Sequence, residues 1–143
     1  MKKKTDITTK IAKEIFSLAK RYVPEAYDKC IIRLRHDDKA CAFEVYSSVD
    51  GEWITDDDFM PADEHDESSR AIYDEWFKIN NQIHSLIPNS KEFVFTTIVI
   101  NKDDNISVRN DYGWDTRMME FNRYWYNKYL KNCKQFIEAF GLH

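Results

Sequence analysis

The chain has 143 residues, 43% of them hydrophobic and 15% aromatic, with three Gly, three Pro and a formal net charge of −4. That length fits one domain, and so much apolar mass with so few breakers excludes a disordered or low-complexity chain. No stretch nears the roughly 18 consecutive apolar residues of a membrane span, and Asp6, Lys10, Lys13 and Glu14 interrupt the apolar run that a secretory signal would need after Lys2-Lys3-Lys4, so a cytoplasmic protein is expected.

Ile7, Ile11, Ile15, Leu18 and Tyr22 recur every three or four positions and predict a helix over 7–22, capped by Thr5 or Asp6 and ended before Pro24. Alternation over 30–36 sets Cys30, Ile32 and Leu34 against Ile31, Arg33 and Arg35, as in a half-exposed strand. Asp37-Asp38-Lys39 then turns the chain into a second strand over 40–46, and Asp50-Gly51 turns it again into a short strand over 52–55. Ile72, Trp76, Ile79, Ile83 and Leu86 or Ile87 mark a second helix, capped by Asp66 or Ser68 and stopped before Pro88. Both alternating sets of 92–101 are apolar enough to be covered, so this strand is placed centrally, and Lys102-Asp103-Asp104-Asn105 leads into a partner strand over 106–112. Asp115 is the expected cap of a long helix carrying Met118, Phe121, Trp125 and Tyr129, and a last helix uses Cys133, Phe136, Ile137 and Phe140 before Gly141.

The order is α-β-β-β-α-β-β-α-α, with strand turns too short for parallel crossovers. It predicts an α+β fold, an antiparallel sheet of about five strands with the helices packed on one face. Ile11, Ile15, Phe43, Trp76, Ile83, Phe95, Ile98, Phe121 and Trp125 are the expected core.

Chemistry is mostly excluded. The glycines are too few and too scattered for a phosphate loop. Asp56, Asp58, Glu64 and Glu67 fall at places one, three, nine and twelve of a calcium-loop frame, but Met60 and Pro61 stand where an oxygen ligand and a glycine are required. In Asp63-Glu64-His65-Asp66-Glu67, neighbouring side chains on an extended chain point apart and do not converge on one ion. Cys30, Cys41 and Cys133 lie within strand or helix patterns and read as buried thiols, not nucleophiles. With nothing to raise one carboxyl's pKa, the many Asp and Glu read as surface groups. No catalytic residue, metal or cofactor is expected.

The acidic block over 49–75 sets eleven carboxylates against one base, Arg70, a charge of −10, while the rest of the chain balances at +6. One reading is a solvated acidic loop. Trp53, Ile54, Phe59 and Met60 embedded in it favour the other reading, a surface for a basic partner. Its expected contacts are Asp56, Asp57, Asp58, Asp63, Glu64, Asp66 and Glu67, with Trp53, Phe59 and Met60 as apolar anchors. The aromatic-basic stretch 117–134 reads as helix packing, since Phe121, Trp125 and Tyr129 share one face, so direct nucleic-acid binding is not expected.

Phe95-Thr96-Thr97-Ile98, Ser107-Val108-Arg109-Asn110-Asp111-Tyr112 and Arg123-Tyr124-Trp125-Tyr126-Asn127-Lys128-Tyr129-Leu130 resemble the YezG-like immunity proteins of bacteria, which share this order of elements. The resemblance implies a single immunity-protein-like domain over 1–143, with Asp111, Tyr112, Trp125, Lys128 and Tyr129 as signature positions. It implies an antitoxin that binds and neutralises a cognate toxin, often a nuclease, and is not itself an enzyme. Asp56, Asp57 and Asp58 match no fixed motif of the family, so the toxin-binding assignment rests on charge. The alternatives are a non-catalytic adaptor or regulatory module for another basic protein and, last, a metal-dependent hydrolase using the 63–67 cluster.

Overall fold

The structure is a computed structural model that describes residues 5–61, 66–103 and 105–142. Helix α1 (Thr9–Ala19) begins later than its periodicity suggests. The buried Ile7 is first tied to the last strand, its N–H donating to Asn110 Oδ1 and its carbonyl accepting from Asn110 Nδ2. Thr5 and Asp6, the expected caps, bond the Tyr112 hydroxyl instead, and Thr8 caps the helix by accepting the Ile11 N–H.

Strands β1 (Lys29–His36), β2 (Cys41–Val49) and β3 (Glu52–Thr55) form the predicted meander. At the first turn the Asp37 carboxylate accepts the N–H groups of Lys39 and Ala40. At the second, Asp50 and Gly51 both take positive φ, 51° and 81°, the pair a two-residue type I′ hairpin demands. Helix α2 (Glu67–Leu86) follows, capped by Asp66, then β4 (Val94–Asn101) and β5 (Ile106–Tyr112). The antiparallel sheet has the order β3-β2-β1-β4-β5, so β1 is central and β4 lies beside it.

The helices cover both faces of this sheet, not one. Cys30, Ile32, Leu34, Phe43, Val45, Ile98 and Ile100 pack on one face against α1 and α2. Ile31, Tyr46, Phe95 and Val99 pack on the other against α3 (Met118–Trp125) and α4 (Lys134–Phe140). The cause is the second alternating set of β1 and β4, which is itself apolar and needs cover. Within the expected core, Ile11 and Trp76 are half-buried and the other seven residues buried. Cys30 and Cys133 are buried, whereas Cys41 is half-buried.

The predicted long helix is not continuous. A π turn (Tyr126–Leu130) follows Trp125, and Lys131 and Asn132 then take positive φ. Five-residue spacing brings Trp125 and Leu130 inward together and leaves Tyr129 half-buried, which regular helical spacing would not do. Asp115 does not cap α3; Arg117 occupies that position without a side-chain cap bond.

Candidate binding surface

The acidic segment leaves edge strand β3 through a single 3-10 turn, Asp56–Phe59, and its three aspartates do different work. Asp56 Oδ1 accepts the Val45 N–H at 3.1 Å, fastening the turn to β2. Asp58 Oδ2 accepts the Thr55 N–H at 2.8 Å and closes the turn on itself. Asp57 projects into solvent. Phe59 remains 38% exposed, its ring edge-on to Tyr22 at 6.3 Å, while Met60 is half-buried against the α1/α2 core. The Tyr73 hydroxyl donates to the Pro61 carbonyl at 2.6 Å, which fixes the outgoing chain to α2. At the start of that helix Asp66 accepts the Ser68 N–H, and both Asp66 and Glu67 are exposed.

Phe59, Met60 and Pro61 thus face α1 and α2, whereas Asp57 lines a recess with Gln135, Ala139 and Phe140 of α4. Trp53 lies apart from Phe59, against the α3/α4 layer, with its indole N–H donating to the Lys131 carbonyl at 3.2 Å. Asp63 and Glu64 lie outside the described residues, as does most of the 63–67 cluster. Among the described residues no group of three or more His, Cys, Asp or Glu is placed to hold a metal ion.

Behind the turn is a network that reading the strand as half-exposed overlooks. Arg33 is fully buried, its guanidinium carbon 5.0–5.9 Å from the ring centroids of Phe95, Phe121, Trp125, Phe136 and Phe140. Its Nη2 donates to Asn122 Oδ1, and its Nε lies 3.9 Å from Glu44 Oε2. Arg35 Nε approaches the same oxygen at 3.4 Å, and the Tyr46 hydroxyl donates to Glu44 Oε1 at 2.6 Å. A recess of about 120 Å³ separates this network from the turn, with Arg35, Glu44, Asp56, Asp57 and Gln135 in its lining.

Burial pushes the Asp56 carboxyl up to about 7; the Val45 N–H opposes this, and the carboxylates of Asp57 and Glu44 push the same way. One carboxyl with a raised pKa thus exists after all. A raised carboxyl beside a second one is a pattern of general acid catalysis. Here the recess is well below the roughly 300 Å³ of a small ligand pocket, and Glu44 is already engaged by two arginines and a tyrosine. The arrangement suits a packed electrostatic support for the turn.

A thiol site fares no better. Cys41 stands opposite His36 across the β1–β2 ladder. Burial pushes the Cys41 thiol up to about 12 and the His36 imidazole down to about 4, so the pair stays neutral and not thiolate-imidazolium. His36 Nε2 instead shares a hydrogen bond with Thr96 Oγ1.

Of the signature positions, Trp125 is fully buried with its indole N–H on Thr97 Oγ1 at 2.8 Å, and Tyr112 holds Asp6 and Thr5. Asp111 pairs with Arg109 on edge strand β5, and Lys128 lies over the rings of Tyr124 and Tyr129. No helix among the described residues is long and apolar enough to cross a membrane. No protein-family model matches the chain, and no curated protein matches it.

Proposed function

We propose that this protein is an immunity protein that binds and neutralises a basic toxin domain, a nuclease by preference, and carries out no chemistry of its own. The observation that carries the reading is the acidic turn on the β3 edge. Asp56 and Asp58 are spent on holding its backbone, which keeps the exposed Asp57 and Phe59 in a fixed geometry, and the outgoing chain is tied through Tyr73 to α2, whose first turn exposes Asp66 and Glu67. A merely solvating loop has no need of such anchoring. Fixed carboxylates around an exposed ring combine what a protein interface uses, charges that steer a cationic partner and an apolar group that holds it. A nuclease fits because its substrate groove must be cationic to hold a phosphate backbone.

The test pairs this protein with the toxin domain encoded beside its gene. Co-expression is expected to restore growth that the toxin alone abolishes, and the purified pair to form a stable complex in which the toxin is inactive. A complex that leaves the toxin active would refute neutralisation, and failure to bind would refute the partnership.

A further inference from the structure

We infer that the partner-binding surface extends from the Asp56–Phe59 turn across the outer face of α2, with Phe77 as its principal apolar anchor, and that its occupant is a cationic protein surface with an apolar recess. The inference rests on the proposed toxin-binding role and names a residue and a partner chemistry beyond it.

Phe77 is 56% exposed, more than Phe59, although it stands in the middle of a helix whose other face is core. An exposed phenyl ring on a mobile side chain would lose freedom on binding. This ring is held by a file of aromatics. Phe77 packs edge-on against Trp76 at 5.3 Å, and Trp76 stacks on the buried Phe43 at 4.8 Å. Phe43 meets the buried Tyr22 at 6.1 Å, and Tyr22 meets Phe59 at 6.3 Å. The file thus begins and ends in exposed rings and passes between them through the core. Rings ordered beforehand add contact area at small entropic cost, which is the property of an interface anchor.

The same two sites are linked along the surface. Tyr73, which bonds the Pro61 carbonyl, precedes Phe77 by four residues and shares its helix face. Beside Phe77 a shallow groove of about 470 Å³ runs along α2 between Asp74, Lys78, Asn81 and Gln82.

Charge decides the occupant. Among the described residues, the turn and α2 expose Asp57, Asp58, Asp66, Glu67 and Asp74 against Arg70 and Lys78, while the nearby Arg21 is neutralised by its ion pair with Glu75 at 2.8 Å. A second copy offering the same face would bring like charges together, at a cost a cationic partner avoids.

The experiment measures dissociation of the adjacent-gene toxin domain from wild type, Phe77→Ser, the conservative Phe77→Tyr, and Met119→Ser. Met119 is 59% exposed on α3, the opposite layer, and controls for loss of an exposed apolar side chain. Phe77→Ser is expected to melt as wild type does and to dissociate about thirtyfold faster, as befits an interface hot spot. Phe77→Tyr and Met119→Ser are expected to stay within about threefold. Wild-type binding with unchanged dissociation of Phe77→Ser overturns this inference and leaves the toxin-binding reading intact. Absence of wild-type binding overturns both. A concentration-dependent dimer that Phe77→Ser abolishes would give the face to a second copy and overturn the inference too.

Discussion

The carboxyl of Asp56 accepts the backbone N–H of Val45 at 3.1 Å, so that one half-buried acid joins the acidic turn to the second strand of the sheet. Its folded pKa, about 7, stands above the ordinary 3.8. The folded protein therefore holds a proton here that the unfolded chain releases between about pH 4 and pH 7. Stability from this group is full below pH 4 and is lost as the pH rises through 7. Asp56→Asn keeps an acceptor for Val45 and removes the titration. Denaturant unfolding at pH 5 and pH 8 should show wild type losing about 2 kcal/mol more than Asp56→Asn over that interval. Equal losses would mean that Asp56 ionises as an ordinary surface acid.

This bond also marks where sequence reasoning stops. Strands β3 and β5 fall where alternation and turn residues place them, because Asp50-Gly51 and the residues around 102–105 bracket them locally. Charge density finds the acidic segment but treats Asp56, Asp57 and Asp58 as equals. Which carboxylate captures an N–H depends on β2, whose Val45 is eleven residues away. Arg33 reads as exposed because a strand's period names two faces without saying that both will be covered. The π turn is hidden for a similar reason: Phe121, Trp125 and Tyr129 keep helical spacing, and only the sheet beneath selects Leu130 over Tyr129. Phe77 escapes notice because its neighbour Trp76 fits the apolar stripe.

Arg33 is the next point at which the structure commits itself. A buried guanidinium among five rings with a single close hydrogen bond depends on Glu44 for charge balance. Arg33→Met should cost roughly 3 kcal/mol, because it leaves Glu44 deprived of one of its two arginines in a desolvated position. The double variant with Glu44→Gln should cost less than the two single changes added together. Strict additivity in denaturant melts would show that the 3.9 Å approach carries no coupling.

Trp125 combines full burial with a hydrogen bond to Thr97. Trp125→Ala should lower stability by roughly 3 to 5 kcal/mol, through the cavity it opens and the hydroxyl it strands. A thermal melt like that of wild type would take the residue out of the core.

The thiols provide an independent check on burial. Native Cys30 and Cys133 should resist a thiol reagent that labels them fully after unfolding, and Cys41, half-buried with its thiol pushed up to about 12, should react slowly and faster with rising pH. Rapid labelling of Cys41 at pH 7 would point to an activated thiolate beside His36 and reopen the case for catalysis.

The central claim is that the acidic segment guides a basic toxin domain onto this protein, and the association rate as a function of salt tests it most directly. The variant changes Asp57, Asp58, Asp63, Glu64, Asp66 and Glu67 to Asn or Gln, which deletes charge and keeps shape, and leaves Asp56 in place to hold the turn. Wild type should associate with the adjacent-gene toxin domain at a rate that falls steeply from low to physiological salt, while the variant, equally folded, associates at least tenfold more slowly at low salt with a nearly flat dependence. A folded variant that associates as fast as wild type at low salt and still protects cells from the toxin would contradict the claim.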